Sequence, residues 1–163
     1  MKSSAVGYIG GQLPNPTYEE VCTDKTGHAE AVEVEYDPDE ISFEDLLNVF
    51  WTNHNPTTLN RQGPDVGIQY RFAIFYHDET QKEIAEKSKQ ELEQTGKFDN
   101  PVVTEIVPAP TFYKAEEYHQ KYFKKHKFSF TDEQSFFIFD LSMSSKMYFN
   151  FFEICLISFC FSK

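Results

Sequence analysis

The sequence predicts a two-layer α/β domain in which a few helices pack on one small sheet. Segments with the two-residue period of strands alternate with segments at helical spacing, in the order strand, helix, loop, strand, helix, strand, helix. Such an order places strands in one layer and helices in the other. The chain has 163 residues, a length that favours a single domain with a real core.

The first predicted strand and helix lie in the first third of the chain. Side chains alternate along residues 28–36, and one face carries His28, Glu30, Val32, Val34 and Tyr36. The Asp37-Pro38 pair ends this strand. In "ISFEDLLNVFWTNH", Ser42 with Asp45 fits a capping box and the apolar residues fall at helical spacing, which predicts a helix.

The central third predicts a loop and then further alternating elements. Residues 55–69 are polar, with two prolines and two glycines, and a connection of that length is often functional. "YRFAIFYH" predicts a strand, and Asp78 caps a helix that runs to about Gln94 and stops at Gly96. "PVVTEIV" predicts another strand, and "AEEYHQKYFKKH" a last helix.

The composition changes near residue 128. The remaining segment holds ten of the 17 phenylalanines, so we divide the chain into a domain at 1–127 and an atypical Phe-rich tail at 128–163. The apolar run "MYFNFFEICLISFCF" lacks a clean period and is shorter than the roughly 20 residues that span a bilayer. A membrane anchor is therefore not expected. An extension foreign to the domain, or a read-through in the gene model, fits better.

Charge and cysteine content exclude several classes of protein. The net charge is −11, with 26 acidic and 15 basic residues, so bulk attraction to nucleic acid or anionic lipid is not expected. Three cysteines do not make a secreted disulfide framework. The start "MKSSAVGYIGG" has no apolar run of signal-peptide length, and we expect a cytoplasmic protein, or an organellar one if a transit peptide has been lost.

Glu30 and two tyrosines are the strongest candidates for chemistry. The alternation puts Glu30 on the buried face, where desolvation raises a carboxyl pKa and suits it to general acid catalysis. The alternative is a strand-end glutamate whose side chain bends to solvent. Tyr18 and Tyr70 follow turn-forming segments, and their hydroxyls can donate to an oxygen that gains negative charge. Each can also be an ordinary core tyrosine.

Other candidates are weaker. Asp65 lies in "RQGPDVG", which also looks like an ordinary turn. His28-Ala29-Glu30 matches the H-x-E of zinc deaminases, but the chain has no C-x-x-C, and we expect no metal or bound cofactor. Cys22 has acidic neighbours at Glu19, Glu20 and Asp24. Because a reactive thiol needs an electropositive setting, we interpret Cys22 as a structural, partly buried cysteine.

Several long blocks together resemble the A-type methionine sulfoxide reductases, the peptide-methionine (S)-S-oxide reductases. They are "GYIGG", "NPTYEEVC", "TGHAEAVEVEYDP", "FWTNHNPTTLNRQG", "DVGIQYRFAIFYH" and "FYKAEEYHQKY", in the family's order over about residues 7–126. The resemblance implies a ferredoxin-like α+β core. It also implies reduction of methionine S-sulfoxide, free or in proteins, by a monomer in protein repair and oxidative-stress defence, with thioredoxin or another dithiol as reductant.

The resemblance assigns roles to four residues. The family's acid carboxylate falls on Glu30, its oxygen-binding tyrosines fall on Tyr18 and Tyr70, and its loop aspartate falls on Asp65. The first three are the groups that the residue patterns already favoured for protonating an oxygen. The family's resolving cysteines lie near its C-terminus, but the sequence around Cys155 and Cys160 does not match and the role is not transferred.

One family motif is absent from the 163 residues. The nucleophilic cysteine belongs to a "GCFWG" motif ahead of the "GYxGG" block, and no such motif precedes Gly7. We therefore interpret the chain as N-terminally truncated, without the first strand, first helix and nucleophile. It is expected to have little reductase activity and a sheet edge that the tail either covers or leaves exposed. The alternative function is that of a catalytically inactive relative that binds methionine-sulfoxide-containing chains.

Overall fold

The computed structural model describes residues 2–121, 125 and 158–162, except the side chain of Phe159. Its strands are β1 (Ser3–Ile9), β2 (Ala29–Glu35), β3 (Arg61–Gln62), β4 (Asp65–Val66), β5 (Ala73–Tyr76), β6 (Glu105–Pro108), β7 (Tyr113–Lys114) and β8 (Ser158–Ser162). Its helices are α1 (Tyr18–Val21), α2 (Phe43–Thr52) and α3 (Glu79–Gln94), with a 3₁₀ turn at Ile68–Tyr70. The described residues include no helix long and apolar enough to cross a membrane.

Six of these strands form one mixed sheet, which confirms the predicted α/β class. Their order is β6-β5-β8-β2-β1-β7, while β3 and β4 form a separate hairpin. Antiparallel pairs join β2 to β1 and β1 to β7, whereas β2, β8, β5 and β6 run parallel to one another. The helical crossovers α2 and α3 connect β2 to β5 and β5 to β6, the usual connection between parallel strands.

Both faces of the sheet are apolar. One face packs against α2 and α3 in the larger core cluster, which includes Val32, Val34, Leu46, Leu47 and Phe161. The opposite face is smaller and is built from Ile9, Ala29, Ala31, Ala73, Phe75 and Cys160. The alternation of β2 therefore divides its side chains as predicted, with the valines facing the helices.

Capping residues begin and end the helices α2 and α3 close to the positions that the sequence predicted. Ser42 and Asp45 form the predicted capping box, and Asp78 caps α3 by accepting a hydrogen bond from the backbone N–H of Gln81. Gly96, just beyond α3, has φ +65°, the left-handed conformation that glycine adopts readily at a helix end. Trp51 of α2 donates to the Ser88 hydroxyl of α3 at 2.6 Å and joins the two helices.

Ser42→Ala is expected to lower the free energy of unfolding by about 1 kcal/mol, because it removes the side-chain acceptor of an N-cap. Ser42 accepts from the Asp45 N–H at 3.1 Å and its hydroxyl donates to the Asp45 carboxylate at 2.6 Å. Urea denaturation measures the change. Ser42→Thr keeps the hydroxyl and serves as the control, so an equal loss in both variants would contradict a capping role.

The predicted last helix is wrong over residues 115–121. Residues 117–121 form turns, whereas Lys125 is helical and its N–H donates to the Lys121 carbonyl at 3.1 Å; residues 122–124 and 126 lie outside the described part. The Gln120 side chain is hydrogen-bonded to backbone groups of β1 and of its own segment. Its amide accepts from Val6 N–H and donates to the carbonyls of Val6 and Ala115. Lys121 then has φ +51°. These tertiary hydrogen bonds override the helical pattern of the segment.

The tail contributes the central strand of the sheet. The pattern of the segment predicted no strand there, yet β8 pairs with β2 on one side and β5 on the other. β8 therefore lies between β2 and β5, and residues 158–162 supply backbone partners to both strands. Cys155 and the rest of the tail lie outside the described residues.

Candidate active site

Glu30 sits near the start of β2 on the helix-facing side of the sheet. Its Oε1 atom is buried and has no hydrogen-bond partner among the described residues. Burial, followed by the negative charge of Asp65, raises the pKa of Glu30 from 4.5 to about 7. At neutral pH this carboxyl is therefore divided between its acid and carboxylate forms, as a proton donor requires.

Tyr18 occupies the first position of α1, within electrostatic range of Glu30. A capping box between Thr17 and Glu20 starts this short helix. A hydrogen bond with the Cys22 thiol, then burial, then the negative charges of Cys22 and Glu30 and the effect of Tyr70 raise the pKa of Tyr18 well above 10. The Tyr18 hydroxyl therefore keeps its proton and acts as a donor at all physiological pH values.

Tyr70 ends the 3₁₀ turn that follows the β3–β4 hairpin. Burial raises the pKa of Tyr70, and the charges of Glu30, Asp65 and Cys22 add to the rise, against a smaller opposing hydrogen bond from Gln69. Asp65, at the start of β4, is exposed. The predicted loop at 55–69 thus holds a hairpin and a turn, and these bring Asp65 and Tyr70 into electrostatic range of Glu30.

Two residues that the sequence patterns did not single out hold this cluster together. The Glu116 carboxylate accepts from Tyr18 N–H at 2.8 Å and from the Tyr8 hydroxyl at 2.9 Å, so it ties α1 to β1. Asp24 accepts from the backbone N–H of Ile68, which joins the end of the α1 segment to the turn that carries Tyr70. Both accept from backbone N–H groups far away in the chain, and a local side-chain pattern carries no signal for such contacts.

Cys22 differs from its predicted environment. It lies at the C-cap of α1, as expected for a helical turn, but it is exposed, and the prediction of partial burial is wrong. Val21 takes the buried position instead. Cys22 is the described thiol that interacts with this cluster, since it makes the largest contribution to the raised pKa of Tyr18.

Cys160 is buried in β8 on the opposite face of the sheet. Its sulfur lies 3.1 Å from His77 Nε2. Burial, with a smaller contribution from the charge of Glu33, nevertheless raises the pKa of Cys160 to about 12. This thiol therefore forms almost no thiolate near neutral pH.

His28 plays a structural part. Its Nδ1 accepts from Gly11 N–H at 3.1 Å and its Nε2 lies 2.8 Å from the Leu13 carbonyl, so both ring nitrogens are engaged by backbone. A Cβ at Gly11 would lie only 2.4 Å from the imidazole, which explains a glycine there. Within the described residues no group of three His, Cys, Asp or Glu side chains is arranged to hold a metal ion.

The fold and the cluster together define an α/β protein with a candidate proton-donating site, at which two neutral phenols and one carboxyl of raised pKa interact. Comparison with known proteins gives this class a family. The family described as "Peptide methionine sulfoxide reductase" matches residues 1–140. The chain belongs to this family, whose members reduce methionine sulfoxide in protein repair.

Individual relatives agree with this assignment. The chain is 60% identical to peptide methionine sulfoxide reductase MsrA of Methanothermobacter thermautotrophicus over 124 residues, which cover 76% of this chain and 73% of the relative. It is 62% identical to MsrA of Methanosarcina acetivorans, covering 77% and 67%. The structure of reduced Mxr1 from Saccharomyces cerevisiae is similar with a TM-score of 0.69 and 36% identity, covering 78% of this chain and 73% of Mxr1.

Proposed function

We propose that this chain binds methionine S-sulfoxide, free or within a protein, at Glu30, Tyr18, Tyr70 and Asp65. The observation that carries the proposal is the buried Glu30 Oε1 atom without a described partner, set beside two phenols that stay protonated. A buried polar atom without a partner is costly, and the oxygen of a sulfoxide that shares a proton with Glu30 would satisfy it.

Each residue has a distinct role in the proposed reaction. Tyr18 and Tyr70 donate hydrogen bonds to the sulfoxide oxygen, and Glu30 supplies a proton as negative charge develops on it. Burial raises the Glu30 pKa so that a proton is available at neutral pH, and the negative charge of Asp65 adds to the rise. A thiolate that attacks the activated sulfur takes the oxygen as a sulfenic acid and releases methionine. A dithiol such as thioredoxin then reduces the sulfenic acid to the thiol and releases water, and the dithiol is itself oxidised to a disulfide.

Binding tests this assignment of residues directly. N-acetyl-L-methionine (S)-sulfoxide is titrated into the protein and followed by NMR. Tyr18→Phe and Tyr70→Phe are each expected to weaken binding about tenfold, since each removes one hydrogen-bond donor to the sulfoxide oxygen. Tyr76→Phe, at the far end of β5, is the matched control. Equal affinity in all four proteins would contradict the proposed site.

A second function, binding of methionine sulfoxide without its reduction, is favoured by the surroundings of the described thiols. Cys160 is buried with a pKa of about 12, and Cys22 has the acidic neighbours Glu19, Glu20 and Asp24. The buried setting of Cys160 opposes thiolate formation.

The 163-residue chain is accordingly expected to reduce methyl p-tolyl sulfoxide slowly with dithiothreitol, at most about a hundredth of a typical enzyme's 10 s⁻¹. Cys22→Ser tests the thiol nearest the site, and Cys160→Ser is the matched control. Turnover at ordinary enzymatic rates would contradict the prediction. Loss of that turnover in Cys22→Ser alone would identify Cys22 as the nucleophile.

A further inference from the structure

β8 separates the two strands that carry the proposed site. Glu30 lies on β2, and Tyr70 lies three residues before β5, but β2 and β5 are not neighbours in the sheet. Ser158, the first residue of β8, pairs with Ala31 on one side and with Ala73 on the other. Since neighbouring strands lie about 4.8 Å apart, β8 sets a spacing of about 10 Å between the backbones of β2 and β5.

Ser158 also binds the chain beside Tyr70 through its side chain. The residue is fully buried, at 0% exposure. Its hydroxyl donates to the Arg71 carbonyl at 3.0 Å and accepts from the Ala73 N–H at 3.1 Å. One hydroxyl thus fixes two backbone groups of the segment that immediately follows the Tyr70 turn.

The Arg71 side chain continues this link back to the turn. Its guanidinium donates to the Ile68 carbonyl at 3.1 Å, and its Nε lies 3.5 Å from the Glu105 carboxylate. Arg71 directly follows Tyr70, the last residue of the turn, and its side chain binds Ile68, the first residue. The Arg71 carbonyl in turn accepts from the Ser158 hydroxyl. On the other side of β8, Ser158 pairs with Ala31, the residue next to Glu30. Ser158 therefore lies between the part of β2 that carries Glu30 and the segment that follows the Tyr70 turn.

We propose that Ser158 is a positioning residue of the sulfoxide site, and that its hydroxyl fixes the Tyr70 turn in place relative to Glu30. This inference rests on the proposed function, because it concerns how the same site is assembled. It makes a short segment of the Phe-rich tail part of the binding machinery rather than an appendage. Ser158 acts through backbone and touches no substrate.

Three variants test the role of the hydroxyl. Ser158→Ala removes it, Ser158→Cys replaces it by a weaker hydrogen-bonding group of nearly the same shape, and Ser162→Ala makes the same change at the far end of β8. Ser158→Ala and Ser158→Cys are expected to bind N-acetyl-L-methionine (S)-sulfoxide about tenfold more weakly than the wild type. Ser162→Ala is expected to bind as the wild type does. Thermal melting confirms that each variant is folded.

A second readout separates positioning from stability. The Glu30 carboxyl is followed by carbon NMR as the pH is raised in the absence of ligand. In Ser158→Ala and Ser158→Cys the apparent pKa of Glu30 should fall toward its ordinary value, because a displaced Tyr70 turn admits water to the carboxyl. Ser162→Ala should leave it unchanged.

The outcomes distinguish this inference from the proposed function. Unchanged affinity and an unchanged Glu30 pKa in a folded Ser158→Cys protein would overturn the positioning role, even if the melting temperature falls. If the wild type binds no sulfoxide, the proposed function fails, and the Glu30 titration still decides whether Ser158 organises the cluster.

Discussion

Phe161→Ala is expected to lower the free energy of unfolding by about 3–5 kcal/mol, the range for deleting a buried phenylalanine side chain from a core. Phe161 is fully buried in β8. Its ring meets the Phe43 ring edge-on, with the centroids 5.1 Å apart. The Phe161 carbonyl accepts from the Gln81 side chain of α3 at 3.1 Å, so the residue joins both helices to the sheet.

Such a loss is a large part of the stability of a domain, which is typically about 5–15 kcal/mol. Urea denaturation followed by circular dichroism measures it. Phe98→Ala is the matched control, because Phe98 is only partly buried after α3 and its removal should cost about 1 kcal/mol or less. A loss below about 1 kcal/mol for Phe161→Ala would show that residues 158–162 do not hold the centre of the sheet in solution.

Glu30→Gln is expected to stabilise the protein at alkaline pH and to leave it unchanged in acid. The pKa of Glu30 is about 7 in the folded state against 4.5 ordinarily, so the folded state prefers the protonated carboxyl. That preference contributes fully below about pH 4.5 and is lost as the pH rises through 7. Gln stays neutral, and the gain at pH 8 should approach about 3 kcal/mol.

Unfolding free energies measured at pH 4 and pH 8 test this prediction. The charge of Asp65 and the phenols of Tyr18, Tyr70 and Tyr8 surround Glu30, and none of them is altered by the substitution. Glu86→Gln, an exposed position on α3, is the control and should show no comparable gain. A Glu30→Gln protein with the same stability as the wild type at pH 8 would mean that Glu30 is ionised without cost.

The gain in stability would come with a loss of chemistry. An amide at position 30 can still donate a hydrogen bond to a sulfoxide oxygen, but it cannot transfer a proton. The buried Glu30 carboxyl therefore lowers the stability of the folded protein when it ionises, as is common where the pKa of a group is shifted for function.

The sequence by itself determined the parts of this protein that depend on local patterns. The alternation along β2 placed Glu30 on the face with Val32 and Val34, because successive side chains of a strand point to opposite sides. The capping boxes at Thr17 and Ser42 began α1 and α2 through contacts only three residues apart. The long blocks of similarity also assign roles to Tyr18, Tyr70 and Asp65.

Only the tertiary structure decided what depends on residues far apart in the chain. The strand β8 has no clean period of its own, and it becomes a strand because β2 and β5 offer it backbone partners on both sides. Residues 115–121 have a helical pattern, yet Gln120 and Glu116 are bound by β1 and α1 from more than ninety positions away. The link from Ser158 to the Tyr70 turn likewise spans more than eighty positions, and it follows from backbone geometry that no local pattern encodes.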